Sequence, residues 1–154
     1  MAFPSARKDE IGKIGSGEII GNVGVVSTYT VFEEALKGGR FVKMNTAGDG
    51  VDLIDASATP TIAGVAKREV SSALEDGGTY TAANSNIVDV IESGVVTVDV
   101  VGGLTIAKFD PVYVENLTAL DYGKATTAST AGNVLVDGYF YKEVDTNVWA
   151  IRIK

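Results

Sequence analysis

Hydrophobic and polar positions alternate along this chain in short runs and nowhere hold a sustained helical spacing. Alternation is clearest in Val96, Val98 and Val100 against Thr97 and Asp99, and in Trp149, Ile151 and Ile153 against Arg152 and Lys154. A period of two sends successive side chains to opposite faces of an extended strand, so each run has one buried face. GRFVKM, VDLID, TIAGVA, NIVDVI, VVTVDVV, DPVYVEN, NVLVDGYFY and NVWAIRIK carry β-branched or aromatic residues and are bounded by Gly, Asn, Asp or Pro. The stretch from Glu18 to Phe32 has the same chemistry but is interrupted by Gly21 and Gly24, which suits bent or bulged strands. Thr30 followed three residues later by Glu33 fits a capping box, so EEALK predicts one short helix ended by Gly38 and Gly39. Many short strands without helical crossovers predict an all-β fold, mainly strand with that one short helix, as a compact β-sandwich or small β-barrel.

Residues 1–17 mix charges with Gly12, Gly15 and Gly17 and sustain neither period, which predicts an extended N-terminal arm ahead of a single β-rich domain at residues 18–154. The arm has too little apolar surface to offset its own ordering entropy, about 1–2 kcal/mol per residue. Phe3, Pro4, Arg7, Lys8 and Ile11 are therefore candidate partner-binding residues that order against a neighbouring subunit. Residues 71–86 and 124–133 read as long loops, where contact surfaces often sit. No internal repeat is visible.

Composition narrows the chemistry. The chain of 154 residues has 18 glycines, against ~11 at the usual frequency, in keeping with many turns between short elements. Cysteine and histidine are both absent, which removes disulfides, thiol nucleophiles, the commonest general base near neutral pH and the usual transition-metal ligands. No signal-peptide pattern opens the sequence and no run approaches the ~20 apolar residues of a membrane-spanning helix, so synthesis in the cytoplasm and no membrane association are expected. Net charge is −7, and between Arg68 and Lys108 no basic residue offsets Glu69, Glu75, Asp76, Asp89, Glu92 and Asp99. Phosphate backbones repel such a stretch, so no nucleic-acid partner is expected.

Candidate catalytic and ligand motifs fail on context. Gly15, Gly17 and Gly21 form a GxGxxxG, but a phosphate loop needs a helix after it and a β-branched run follows instead. Asp49, Asp52 and Asp55 lack the dense spacing of a calcium loop, and no metal or other cofactor is expected. Glu33 and Glu34 are adjacent and diverge on a helix, unlike a converging acid and base. Ser5-x-x-Lys8 lies in the arm, where nothing orients the lysine, and the sequon at Asn116 lacks a secretory context. With no convergent constellation, no catalytic residue is assigned and the chain is not expected to be an enzyme. Tyr139, Phe140 and Tyr141 are consecutive, so an extended backbone sends Phe140 one way and both tyrosines the other. Core packing accounts for one face, and Tyr139 and Tyr141 are candidate interface residues on the second.

Read in order, Gly39 to Lys43, Ile62 to Ala66, Gly94 to Val98, Asp110 to Val114 and Trp149 to Ile153 resemble the strand motifs of the structural cement or decoration proteins of tailed-phage heads. The pattern departs at Phe109, where that family usually has Gly. The resemblance spans roughly residue 38 to the C-terminus and implies a β-rich protein on the outer surface of the virion capsid, made in the host bacterial cytoplasm. Its implied partner is the major capsid protein, whose subunits it bridges to stabilise the mature shell, and it implies a homo-oligomer, dimer or trimer, on that shell. The alternative is a β-sandwich binding module for a host-surface or carbohydrate ligand.

Overall fold

In a computed structural model the described residues are 17, 19–31, 36–56, 60–67, 81–82 and 87–154. They form three sheets. Five strands close a small barrel: β2 (Val26–Val31), β5 (Gly50–Leu53), β4 (Phe41–Met44), β6 (Ile62–Ala66) and β8 (Ile87–Ile91), in that order around it. The β2–β5 pair is parallel and the remaining neighbours are antiparallel. A six-stranded antiparallel sheet has the order β1 (Ile19–Val23), β9 (Gly94–Asp99), β13 (Val148–Ile153), β12 (Val134–Asp145), β10 (Pro111–Val114) and β11 (Ala125–Thr126). A two-residue pair joins β3 (Leu36–Lys37) to β7 (Thr81–Ala82).

The barrel strands carry consecutive buried residues because both their faces are covered. Val42, Ala66, Val88 and Val90 pack with Val31, Leu36 and Val51 in one core. Their chain neighbours Phe41, Val65 and Ile91 point the other way and join Val96, Val98, Val112, Val114, Phe140, Ile151 and Ile153 of the large sheet in a second core. Barrel and sheet are thus pressed together by one apolar layer, each fully buried Val, Ile or Phe contributing roughly 1.5–3 kcal/mol. Polar contacts lock the same junction. Phe41 N–H donates to Gly123 O at 2.8 Å, Asp99 N–H donates to Gly39 O at 2.9 Å, and the Arg40 guanidinium donates to Tyr122 O at 3.1 Å. Arg40 Nε lies 3.6 Å from the Asp99 carboxylate, an ion pair longer than a hydrogen bond.

Most of the predicted strands form as expected, including the break after Gly21, where β1 carries a register shift and Gly24 separates it from β2. Val96, Val98 and Val100 face the core as the alternation requires. The short helix is a correction: Thr30 lies in β2, Leu36 and Lys37 form strand β3, and Gly38 and Gly39 occupy a turn. Leu36, fully buried in the barrel core, gains more from that burial than a one-turn helix offers. Residues 32–35, and with them Glu33 and Glu34, lie outside the described residues. The helical structure that is described is one 3-10 turn, Ala119–Asp121.

Candidate functional site

The face of the large sheet turned away from the barrel carries an exposed aromatic cluster, and its origin is one turn. Between β9 and β10 the chain reverses at Ala107–Asp110: Asp110 N–H donates to Ala107 O at 3.2 Å, and Ala107 N–H donates to the Asp110 carboxylate at 2.8 Å. Phe109 takes φ 75°, the left-handed region that the third position of a type II turn demands and that glycine normally fills. Reciprocal backbone bonds hold it there, Phe109 N–H to Phe140 O at 2.8 Å and Phe140 N–H to Asp110 O at 3.0 Å. An L-residue in this region crowds its own Cβ, yet the ring gains little burial and stays 66% exposed.

What the turn achieves is placement. The Phe109 ring lies 5.2 Å from the Tyr139 ring at an interplanar angle of 52°. Lys108 Nζ sits 5.0 Å from the centroid of Phe109 and 4.9 Å from that of Tyr141, a cation held between two rings. Phe140, between the tyrosines, is fully buried and meets Trp149 edge-on at 5.7 Å. Cross-strand register extends the patch: Pro111 stands opposite Tyr139, and Tyr113 opposite Leu135, which is 60% exposed. Arg152, opposite Tyr139 on β13, is exposed on the same side.

Next to this face the loop after β10 is built on a buried carboxylate. Glu115 accepts the N–H groups of Leu117 at 2.8 Å and Thr118 at 3.3 Å, and the Asn133 side chain at 3.3 Å. Asn133 also accepts from Asn116 N–H and donates to Ala128 O, so the 124–133 segment is tied down at its base. Arg40 donates to Leu120 O, and the Leu120 side chain projects at 84% exposure. Asn116 of the sequon is buried, out of reach of a glycan. A cleft of about 280 Å³ lies between β6 and β12, lined by Phe41, Ile62, Glu92, Val134, Val136 and Ile153 among others.

Of the residues singled out in the sequence, Tyr139 and Tyr141 lie together on the outward face, while Phe3, Pro4, Arg7, Lys8 and Ile11 fall outside the described residues, as do Ser5 and most of 71–86. Gly17 donates its N–H to Thr97 O at 2.6 Å and leads into strand β1, so no helix follows the glycine run. The three aspartates do not converge: Asp49 accepts from Asn45, Asp55 pairs with Lys43, and no cluster of three or more acidic side chains that could hold a metal ion occurs among the described residues. Lys108 and Phe109 were missed by residue-level reading. Their one signal is the departure from glycine at Phe109.

The XM1 gp53 minor capsid protein family matches residues 12–154. Among solved structures, the capsid of Myoviridae phage XM1 contains a chain 40% identical to this one, with a TM-score of 0.79 over 99% of this chain and 97% of that one. Among curated proteins nothing matches. The family spans the barrel, the large sheet and the exposed aromatic turn alike, and the chain therefore belongs to the XM1 gp53 minor capsid proteins: it is a minor capsid protein of a bacteriophage.

Proposed function

We propose that this chain is a cement or decoration protein that attaches to the outer surface of the head, bridges neighbouring major capsid subunits and stabilises the mature shell. The observation that carries this reading is Phe109, whose ring is held exposed by a strained backbone beside Tyr139 and Tyr141. Strain that burial in the isolated chain does not offset points to a role against a partner. Exposed aromatic residues clustered near a patch centre are the usual anchors of protein interfaces. Such a protein needs shape and contacts and no reacting group, so it acts without catalysis. It is made in the host cytoplasm and works as a dimer or trimer on the shell, with the arm residues Phe3, Pro4, Arg7, Lys8 and Ile11 ordering against the capsid. Stabilisation follows from mass action: a copy that binds the closed lattice but not separated subunits favours the intact shell.

The test is attachment of purified protein to heads that lack it, read as added density on the shell and as the temperature at which heads release DNA. The wild type is expected to decorate the heads and raise that temperature. A Tyr139→Ser/Tyr141→Ser variant is expected to need at least about tenfold more protein for equal occupancy, the usual loss at an interface anchor. Equal occupancy by variant and wild type removes this face from the interface. Clustered exposed rings also suit a host-surface carbohydrate, and glycan binding by wild type that the double variant loses, without any shell binding, favours that second reading.

A further inference from the structure

The aromatic face also carries a charge pattern opposite to that of the whole chain. Net charge is −7. Elsewhere Arg40, Lys43, Lys67 and Lys124 each meet a carboxylate: Asp99 at 3.6 Å, Asp55 at 2.5 Å, Asp89 at 3.6 Å and Asp121 at 2.7 Å. Lys108, Lys142 and Arg152 have no ion pair among the described residues, and neither has the isolated Lys37 on β3; the first three gather on the outward face of the large sheet. Ile151 and Ile153 fill the inner core, so Ala150, itself fully buried, and the exposed Arg152 lie on the opposite side of the strand. Lys142 stands opposite Ala150 and Tyr139 opposite Arg152, which places both β12 residues on that outward side. Lys108 joins them through its contacts with Phe109 and Tyr141. Of the acids around it, Asp110 accepts the Ala107 N–H, Asp137 lies 3.7 Å from Lys154, and Glu143 stands opposite Trp149, whose side chain packs on the inner side of the sheet.

We infer that this face docks an acidic segment of a shell subunit, with carboxylates meeting Lys108, Lys142 and Arg152 around an apolar contact on Phe109, Tyr139 and Tyr141. The inference rests on the shell-binding reading and names the chemistry of its partner. Lys108 is suited to the centre of such a contact, because two rings already hold its ammonium in place and little side-chain entropy remains to be lost on pairing. Arg152 adds a planar fork that pairs with carboxylate in two parallel hydrogen bonds. An acidic chain that exposes this basic patch approaches an acidic partner in one orientation, since its other surfaces are repelled.

The experiment measures attachment of the full-length protein to heads lacking it between about 0.05 and 0.5 M NaCl, a range that shortens the screening length from about 14 to about 4 Å. Wild-type attachment is expected to weaken with salt. A Lys108→Gln/Lys142→Gln/Arg152→Gln variant is expected to bind about tenfold more weakly at low salt and to lose most of the salt dependence, while Lys67→Gln on the barrel stays within about twofold of wild type. All three sites are exposed, and an unchanged unfolding midpoint confirms that the variant folds. Equal affinity and equal salt slope for the triple variant and wild type overturn the inference and leave the shell-binding reading standing. Failure of the wild type to bind shells at any salt overturns both, as does salt-sensitive capture of anionic polysaccharide or DNA in place of shells.

Discussion

At Phe109 the backbone pays a cost of about 1–2 kcal/mol for left-handed geometry in an L-residue, and the exposed ring recovers little of it inside the chain. Phe109→Gly is therefore expected to raise the stability of the isolated protein by about 1 kcal/mol, read as a higher urea midpoint, while weakening shell attachment. A variant that is both less stable and fully competent in attachment contradicts this account. Tyr29 shows the opposite situation, a side chain satisfied within the barrel wall. Its hydroxyl donates to the Glu92 carboxylate at 2.6 Å. That hydrogen bond, then burial, then the Glu92 charge hold the phenol above its ordinary value of 10.0. Because the folded value lies above the unfolded one, the stabilisation is fully present below pH ~10 and is lost as pH rises through the folded value. Tyr29→Phe is expected to cost about 1 kcal/mol at neutral pH, and denaturant titrations of the two proteins are expected to converge above pH ~10.

Elements here are short, so what lies between them does much of the positioning. Gly123, at φ 78°, sits where the loop after β10 touches the first residue of β4, and an added Cβ falls 2.7 Å from Phe41 O. Gly123→Ala is expected to destabilise by at least about 2 kcal/mol, through backbone strain and through displacement of the Phe41 hydrogen bond, and to lower the melting temperature accordingly. Glu115 organises the same loop from beneath. Glu115→Ala strands the Leu117 and Thr118 N–H groups and the Asn133 amide, at a cost of about 1–3 kcal/mol. Faster amide exchange confined to residues 115–133 is the observation that checks it. The predicted helix failed at this scale because a capping box is a local preference worth about 1 kcal/mol, whereas burying Leu36 in the barrel is a tertiary gain of larger size.

For the whole molecule, the apolar layer shared by barrel and sheet implies that these two parts unfold together. Phe41 belongs to a barrel strand but packs with the sheet core, so Phe41→Ala is expected to cost about 3–5 kcal/mol and to shift one cooperative transition rather than split it in two. Two resolved calorimetric transitions in the wild type argue against a single unit. Deleting residues 1–12 is expected to leave the melting temperature nearly unchanged while weakening attachment to shells in direct competition with the intact protein. Equal occupancy by the two forms shows the arm to be only a tail.

The strands, their inward faces at Val96, Val98, Val100, Ile151 and Ile153, and the opposed directions of Phe140 and its flanking tyrosines follow from the sequence by itself, because a period of two is a property of the extended backbone. The absence of Cys and His likewise bounds the chemistry without any fold. Tertiary structure alone decided that one set of strands closes into a barrel while the other stays an open sheet, since closure depends on pairings such as β2 with β5 and β8 between residues far apart in the chain. It also decided that Lys108, Phe109, Tyr141 and Arg152 share one surface. These residues lie on a turn and two strands whose register is set by cross-strand hydrogen bonds and by bulges in β12, and no local pattern encodes which side chains such bonds bring together.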